Sequence, residues 1–229
     1  MRRENLIRAT RWILRNTKFT TDHLTPSFGL HLITAECPLW LARPEDCPLL
    51  DPYWAFYWPG GQGLAKFLMH EGQSYVRHKR VLDIVGARFI IANDIDKNAL
   101  LATAINLRKN SIDQNNVCFD ETDLIGQSVD ISKKNIDVVL IGDLFYDSAF
   151  AQTLCSWLIR WFDQQPDLNV LVGDPGRHGL QHLDRDLVVE CLAEYVLPPY
   201  VTKEHYGFST TKVHQIRTVN YVLRKLHDV

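Results

Sequence analysis

The hydrophobic positions of this chain change period several times along its length. Leu6, Ile7, Ile13 and Leu14 fall on one helical face, which predicts a helix over residues 5–16. Residues 17–50 hold no sustained period. Pro26, Pro38, Pro44 and Pro48 break any long element there, so the stretch reads as irregular. Next comes DPYWAFYWPGGQGLAKFLMHEG, residues 51–72, in which a Pro59-Gly60-Gly61 turn leads into a helix carrying Leu64, Phe67 and Leu68 on one side. Alternation then sets in. Apolar runs at 81–84, 89–92, 117–119, 136–141 and 168–172 read as strands, and 97–110, 149–162 and 183–195 as helices. Two β-rich segments, 212–216 and 219–223, close the chain and predict an antiparallel hairpin. Strands that alternate with helices mean an α/β sheet with parallel strands.

In open parallel sheets, ligands bind beyond the carboxyl ends of the strands. Those ends are acidic here: Asp83 in VLDI, Asp94 and Asp96 after FIIAN, Asp123 after VCF, Asp143 and Asp147 in GDLFYD, and Asp174 in GDPGR. Each one alone reads equally well as a helix cap or a turn residue. Together they favour a polar site at one rim. Asp94 is placed to accept hydrogen bonds from both hydroxyls of a ribose, which points to a nucleoside-bearing cofactor. A nicotinamide cofactor is disfavoured, because no G-x-G-x-x-G motif precedes that carboxylate.

Tyr53, Trp54, Phe56, Tyr57 and Trp58 form an aromatic cluster with two readings. One is a hydrophobic anchor for the N-terminal segment. The other is a wall for a flat ring or a cation, since a cation over an aromatic face gains about 0.5–2 kcal/mol. After the strand at 136–141 stands Asp143-Leu144-Phe145-Tyr146-Asp147. It lacks the prolines usual where a methyltransferase acts on an amide or nucleobase nitrogen. A carboxylate beside aromatics suits a basic amine instead, with Asp143 orienting the ammonium and Phe145 and Tyr146 shaping a narrow channel.

Composition narrows the picture further. The 229 residues are 46% hydrophobic and 23% charged, and the net charge of -2 advertises no nucleic-acid partner. No apolar run approaches the roughly 18 residues of a membrane span. Cys37, Cys47, Cys118, Cys155 and Cys191 are scattered without a C-x-x-C pair, which argues against a zinc site or a disulfide framework. The Arg-rich, acid-poor start is compatible with a mitochondrial presequence or with a surface helix on the domain.

The segments DPYWAFYWPGGQGLAKFL, IIANDIDKNAL, VVLIGDLFYD and VLVGDPGR, in that order, resemble the electron transfer flavoprotein beta subunit lysine methyltransferases. The resemblance runs from about Trp12 to Ile216. It implies a Rossmann-like seven-stranded methyltransferase sheet with an antiparallel C-terminal hairpin. Residues 51–229 would form the methyltransferase domain, and 1–50 an N-terminal helix and irregular extension. S-adenosylmethionine would be the methyl donor, a lysine of the flavoprotein beta subunit the acceptor, and the mitochondrial matrix the site of action, with the cytoplasm as the alternative.

By the same resemblance, Asp83, Asp94, Asp123 and Trp58 would bind the cofactor. Asp143 and Tyr146 would serve catalysis, and Trp54 and Phe145 would line the substrate channel. The loop Gly173, Asp174, Pro175 and Arg177 matches the family without an assignable role. One departure stands out. Family members carry a glycine-rich loop and a helix between VLD and ANDID, and here Val85 replaces both, so the first crossover is truncated. Four extended residues reach at most about 14 Å, less than the roughly 17 Å of a five-residue strand. That predicts either that 81–84 and 89–92 form a tight hairpin or one merged strand, with the sheet order disturbed, or that one of them leaves the sheet. It also predicts weakened cofactor binding.

Overall fold

The computed structural model describes residues 3–40, 42–43, 52–82, 89–125, 135–181, 183–205 and 207–227. Its centre is a seven-stranded sheet built from β3 (Arg80–Leu82), β4 (Phe89–Asn93), β5 (Val117–Asp120), β6 (Val138–Gly142), β7 (Asn169–Asp174), β8 (Leu187–Val196) and β9 (Thr210–Thr218). The spatial order is β5-β4-β3-β6-β7-β9-β8. The first five of these strands run parallel, and β9 pairs antiparallel with both β7 and β8. This is the expected seven-stranded sheet with an antiparallel closing pair.

Side chains along the central strands alternate between two cores. Val81, Val138, Leu140, Leu171 and Val213 pack with Leu64, Phe67 and Leu68 of helix α2 (Pro59–His70). Leu82, Val139, Ile141, Val170 and Val172 face the other way, into a cluster with Leu154, Trp157, Leu158, Trp161 and Phe162 of helix α5 (Ser148–Gln164). Burial on both faces explains why 138–141 is a continuous apolar run rather than an alternating one. Asp96 caps the helix α4 (Lys97–Lys109), accepting from the amide of Asn98 at 2.8 Å.

The N-terminal region is more ordered than its prolines suggest. Helix α1 (Arg3–Asn16) buries Ile13, and β1 (Lys18–Thr20) and β2 (Leu30–Leu32) form a small antiparallel sheet within the stretch read as irregular. Asn110 at the end of α4 clasps Gly29, donating to its carbonyl at 2.7 Å and accepting from its amide at 2.9 Å. Asn106 accepts from the amide of His31 at 2.8 Å. These contacts lie too far apart in sequence for any local pattern to announce them.

Two readings at the C-terminal end are corrected. Residues 187–196 form strand β8 and not part of a helix. The register shifts between Cys191 and Ala193, so one extra residue interrupts the two-residue alternation. Leu187 and Val189 pack on the α5 side, whereas Leu192 and Ala193 both reach the α2 side. That phase break mimics helical spacing. Conversely, 219–223 is not a strand. Val219, Val222, Leu223 and Leu226 recur at three and four residues, and they belong to helix α8 (Val219–His227), whose start is capped by Thr218 accepting from the amide of Tyr221 at 3.2 Å. The closing hairpin therefore consists of β8 and β9, with helix α7 (Pro199–Glu204) between them.

The short link is corrected as well. β3 and β4 are parallel neighbours, with Arg80 opposite Phe89 and Leu82 opposite Ile91. No strand has left the sheet, and no hairpin joins the two. The reason is that β3 is only three residues long. From Leu82 to Phe89 the chain must return about 7 Å along the strand and cross about 5 Å sideways. Six residues reach roughly 20 Å. Residues 83–88 themselves, Asp83 among them, lie outside the described residues.

This packing makes a stability prediction. Leu158→Ala, at a fully buried α5 position, should cost about 2–5 kcal/mol in urea unfolding. Ser156→Ala on the exposed face of the same helix should stay within about 0.5 kcal/mol. Equal costs would contradict the assignment of the α5 face.

Candidate active site

Strand order reverses at β3, which has β4 on one side and β6 on the other. The crevice beyond the carboxyl ends at such a reversal is where α/β sheets bind ligands. The predicted acidic residues assemble around it in two groups, one beyond β4 and β5, the other beyond β6 and β7.

Asp94 follows β4. It is half-buried, and its Oδ1 accepts from the amide of Asp96 at 2.8 Å. Oδ2 takes no hydrogen bond from the described residues. Burial raises its pKa above the ordinary carboxylate value, with the nearby Asp96 charge adding to the rise and the Asp96 amide opposing it. Asn93 ties this corner together by donating to the carbonyls of Asp120 and Thr122 at 2.9 and 2.8 Å. The tie brings the turn that holds Asp123 beside Asp94. Asp123 accepts from the amide of Ile125 at 3.2 Å.

The second group is tighter. Gly60 and Gly61 open helix α2 directly on the sheet ends. A Cβ at Gly173 would collide with the Gly60 backbone, and one at Gly142 would sit 3.1 Å from the Gly61 Cα. The bare backbone of the Pro-Gly-Gly turn permits this close approach to the sheet. Asp143, directly after β6, is 5% exposed and sits in the left-handed region at φ 58°. Asp tolerates that region better than most residues do, and such positions concentrate at functional sites. Its Oδ2 accepts from the amides of Gly60 and Gly61. Its Oδ1 accepts from both Nε and Nη2 of Arg177 at 2.8 Å. Burial pushes the Asp143 carboxyl above its usual range, and the Arg177 charge opposes that rise.

Asp174 ends β7 and is fully buried. Its Oδ1 accepts from the amides of Gly176 at 2.7 Å and Arg177 at 2.6 Å. Gly176 adopts φ 103°, which its lack of a Cβ permits. Oδ2 of Asp174 is buried without a partner, and burial raises the carboxyl to about 6. Arg177 also lies over two rings, 5.7 Å from the Trp58 centroid and 5.4 Å from that of Phe208. His205 packs 5.3 Å from Trp58. Burial first, then the Arg177 charge, lowers the His205 pKa to about 4, so its ring is neutral at pH 7.

The aromatic cluster divides between its two readings. Trp54 and Phe56 pack on Ile33, Cys37 and Ala55, anchoring the N-terminal segment. Trp58 packs against Phe56 at 5.6 Å and also meets Arg177 and His205. Phe145 is fully buried in the α5-side core, so its ring does not face the rim. Its neighbour Tyr146 is 63% exposed and stacks on Phe150 at 5.8 Å. His205 and Phe208 carried no sequence signal, because they arrive from the segment between β8 and β9. Arg177 was visible only as a motif position of unknown use. Among the described residues, no group of three or more His, Cys, Asp or Glu can hold a metal ion, and no helix is long and apolar enough to cross a membrane.

No protein-family model matches the chain. Among solved structures, a putative methyltransferase, SMU.776, complexed with SAH, aligns with 72% of this chain and 50% of its own at 13% identity, with a TM-score of 0.49. Individual proteins are much more similar in sequence. A Caenorhabditis elegans electron transfer flavoprotein beta subunit lysine methyltransferase homolog is 41% identical over 95% of this chain and 99% of its own length. The Xenopus laevis electron transfer flavoprotein beta subunit lysine methyltransferase is 36% identical over 88% of this chain and 84% of its own. Identity this high across most of both chains shows that the chain belongs to the electron transfer flavoprotein beta subunit lysine methyltransferase family.

Proposed function

We propose that this chain moves a methyl group from S-adenosylmethionine to lysine side chains of the electron transfer flavoprotein beta subunit, with a weakened hold on the cofactor. The observation that carries the activity is the 41% identity along almost the whole chain, taken with carboxylates at the strand ends around the sheet's reversal point.

The residues beyond β4 and β5 fit a nucleoside. Asp94 offers a half-buried carboxylate oxygen with no donor among the described residues, in a position to receive ribose hydroxyls. Asp123, held beside it, suits the adenine end. Trp58 presents a flat face across the crevice. Bound there, the cofactor supplies an electrophilic methyl group on a sulfonium. The chain's own work is then orientation and desolvation. Lysine has an ordinary pKa of about 10.4, and only its neutral amine is a nucleophile. Removal of water around the incoming amine favours the neutral form. Alignment of the amine with the methyl group contributes more than a dedicated base would.

The weakened hold is supported by the link between β3 and β4. The resemblance implies a glycine-rich backbone cradle at this point, and this chain has six residues, 83–88, between the two strands. The alignment with the frog relative runs over 215 positions, more than 88% of a 229-residue chain, so that relative carries residues this chain lacks. The same observation favours a second reading, a non-catalytic chain that only binds the protein substrate.

Two measurements decide among these. Titration calorimetry with S-adenosylhomocysteine should give a dissociation constant weaker than about 100 μM; a low-micromolar value would sink the weakened-hold proposal. Mass spectrometry of recombinant flavoprotein beta subunit, incubated with this chain and near-millimolar methyl donor, should show lysines heavier by one methyl group. Complete absence of methylation, with the two proteins still co-purifying, would instead establish the binding-only reading.

A further inference from the structure

Arg177 is where four separate segments meet. Asp174 shapes the turn that delivers it, using the two amide bonds to Gly176 and Arg177. The guanidinium then reaches Asp143 after β6, Trp58 at the mouth of α2, and Phe208 after α7. Asp143 in turn spends its other oxygen on the first amides of α2. A lysine ammonium seeking a carboxylate between aromatic walls would find this arrangement already filled by the protein's own cation. Asp143 has both oxygens engaged and is nearly fully buried.

We propose that the Gly173–Arg177 loop is the positioning element of the acceptor side. Arg177 ties Asp143 to α2 and holds Trp58, so Asp143 acts through α2 and Trp58 and does not receive the incoming ammonium. This rests on the methyltransferase reading above. It assigns a role to the GDPGR motif and makes Arg177 and Asp143 positioning residues. Tyr146, exposed and stacked on Phe150, is left as the side chain of this strand end that meets the substrate.

The test separates the pair from the activity. Asp143 is faced by Arg177 and Asp174 from the β7 loop and by the backbone amides of α2. Tyr57 lies at the α2 entrance, and Tyr146 and Asp147 on its own segment. His205, just after α7, and His178, next to Arg177 in the chain, are the nearby histidines among the described residues. With Arg177 removed, Asp143 is a buried carboxylate lacking its cation. Its folded-state pKa then rises further above the unfolded value. A group raised in this way makes the folded state bind more protons, so stability falls as pH increases.

Arg177→Met should therefore lower the thermal midpoint by roughly 6–12 °C at pH 8 and by less than about half of that at pH 5. Arg177→Lys should largely remove the pH dependence of this deficit. The double variant R177M/D143N should remove most of it, leaving only the part contributed by the buried Asp174, which is raised to about 6 beside the same guanidinium. A deficit that is constant between pH 5 and pH 8, or that widens as much in the double variant as in Arg177→Met, would overturn the pairing.

Methylation kinetics test the positioning claim. Asp143→Asn should lower kcat by about 10–100-fold with the KM for the protein acceptor little changed. A selective rise in acceptor KM would show that Asp143 receives the ammonium and would overturn the proposal. A wild-type chain without any transfer would refute the activity, while the midpoint series would still decide whether Arg177 holds Asp143.

Discussion

The carboxylate of Asp143 is the contact on which the site depends. It stands where β6 leaves the sheet, in a backbone conformation that few residues adopt, and it joins the start of α2 to the loop after β7. Helix N-termini carry unpaired amides and partial positive charge, so a carboxylate there is favourable. A buried carboxylate facing only those amides would still be strongly disfavoured by desolvation. Arg177 supplies the compensating charge, and its fork geometry lets two nitrogens meet one oxygen. The glycines follow from this contact. Gly60 and Gly173 must be bare because α2 is drawn onto the sheet ends until backbone meets backbone.

The crevice is consequently built in two halves of different rigidity. Beyond β6 and β7, almost every polar group is held by another part of the protein. Beyond β4 and β5, one oxygen of Asp94 takes no hydrogen bond from the described residues. The truncated link belongs between the halves, at the end of β3. The sheet tolerates that shortening because β3 is brief and the return path is short. The sheet thus keeps its seven strands in order with only six residues between β3 and β4.

Much of the architecture was legible because it follows from local chemistry. Runs such as Val138–Ile141 can only be strands covered on both faces, and Leu64, Phe67 and Leu68 at helical spacing mark the face that covers them. The aspartates at strand ends were visible as a set. The misreadings have a shared cause. At 187–196 a bulge changed the phase of alternation, and at 219–226 β-branched residues sat at helical spacing. In both places the pairing partner, or its absence, outweighed local preference. The estimate that the short link forbids a parallel pair failed because it assumed a strand longer than the three residues that form.

The sequence by itself determined the α/β class, the acidic rim, the Pro-Gly-Gly approach and the family motifs, since periodicity, turn chemistry and residue type are local properties. Tertiary structure alone decided how those motifs are used. It sent Trp54 to the N-terminal core and Trp58 to the crevice, buried Phe145 and exposed Tyr146, and brought Arg177 onto Asp143 from 34 residues away. It also recruited His205 and Phe208 from a connection with no motif. The physical reason is that a charge or ring has no fixed role until packing chooses its neighbours, and those neighbours come from distant parts of the chain.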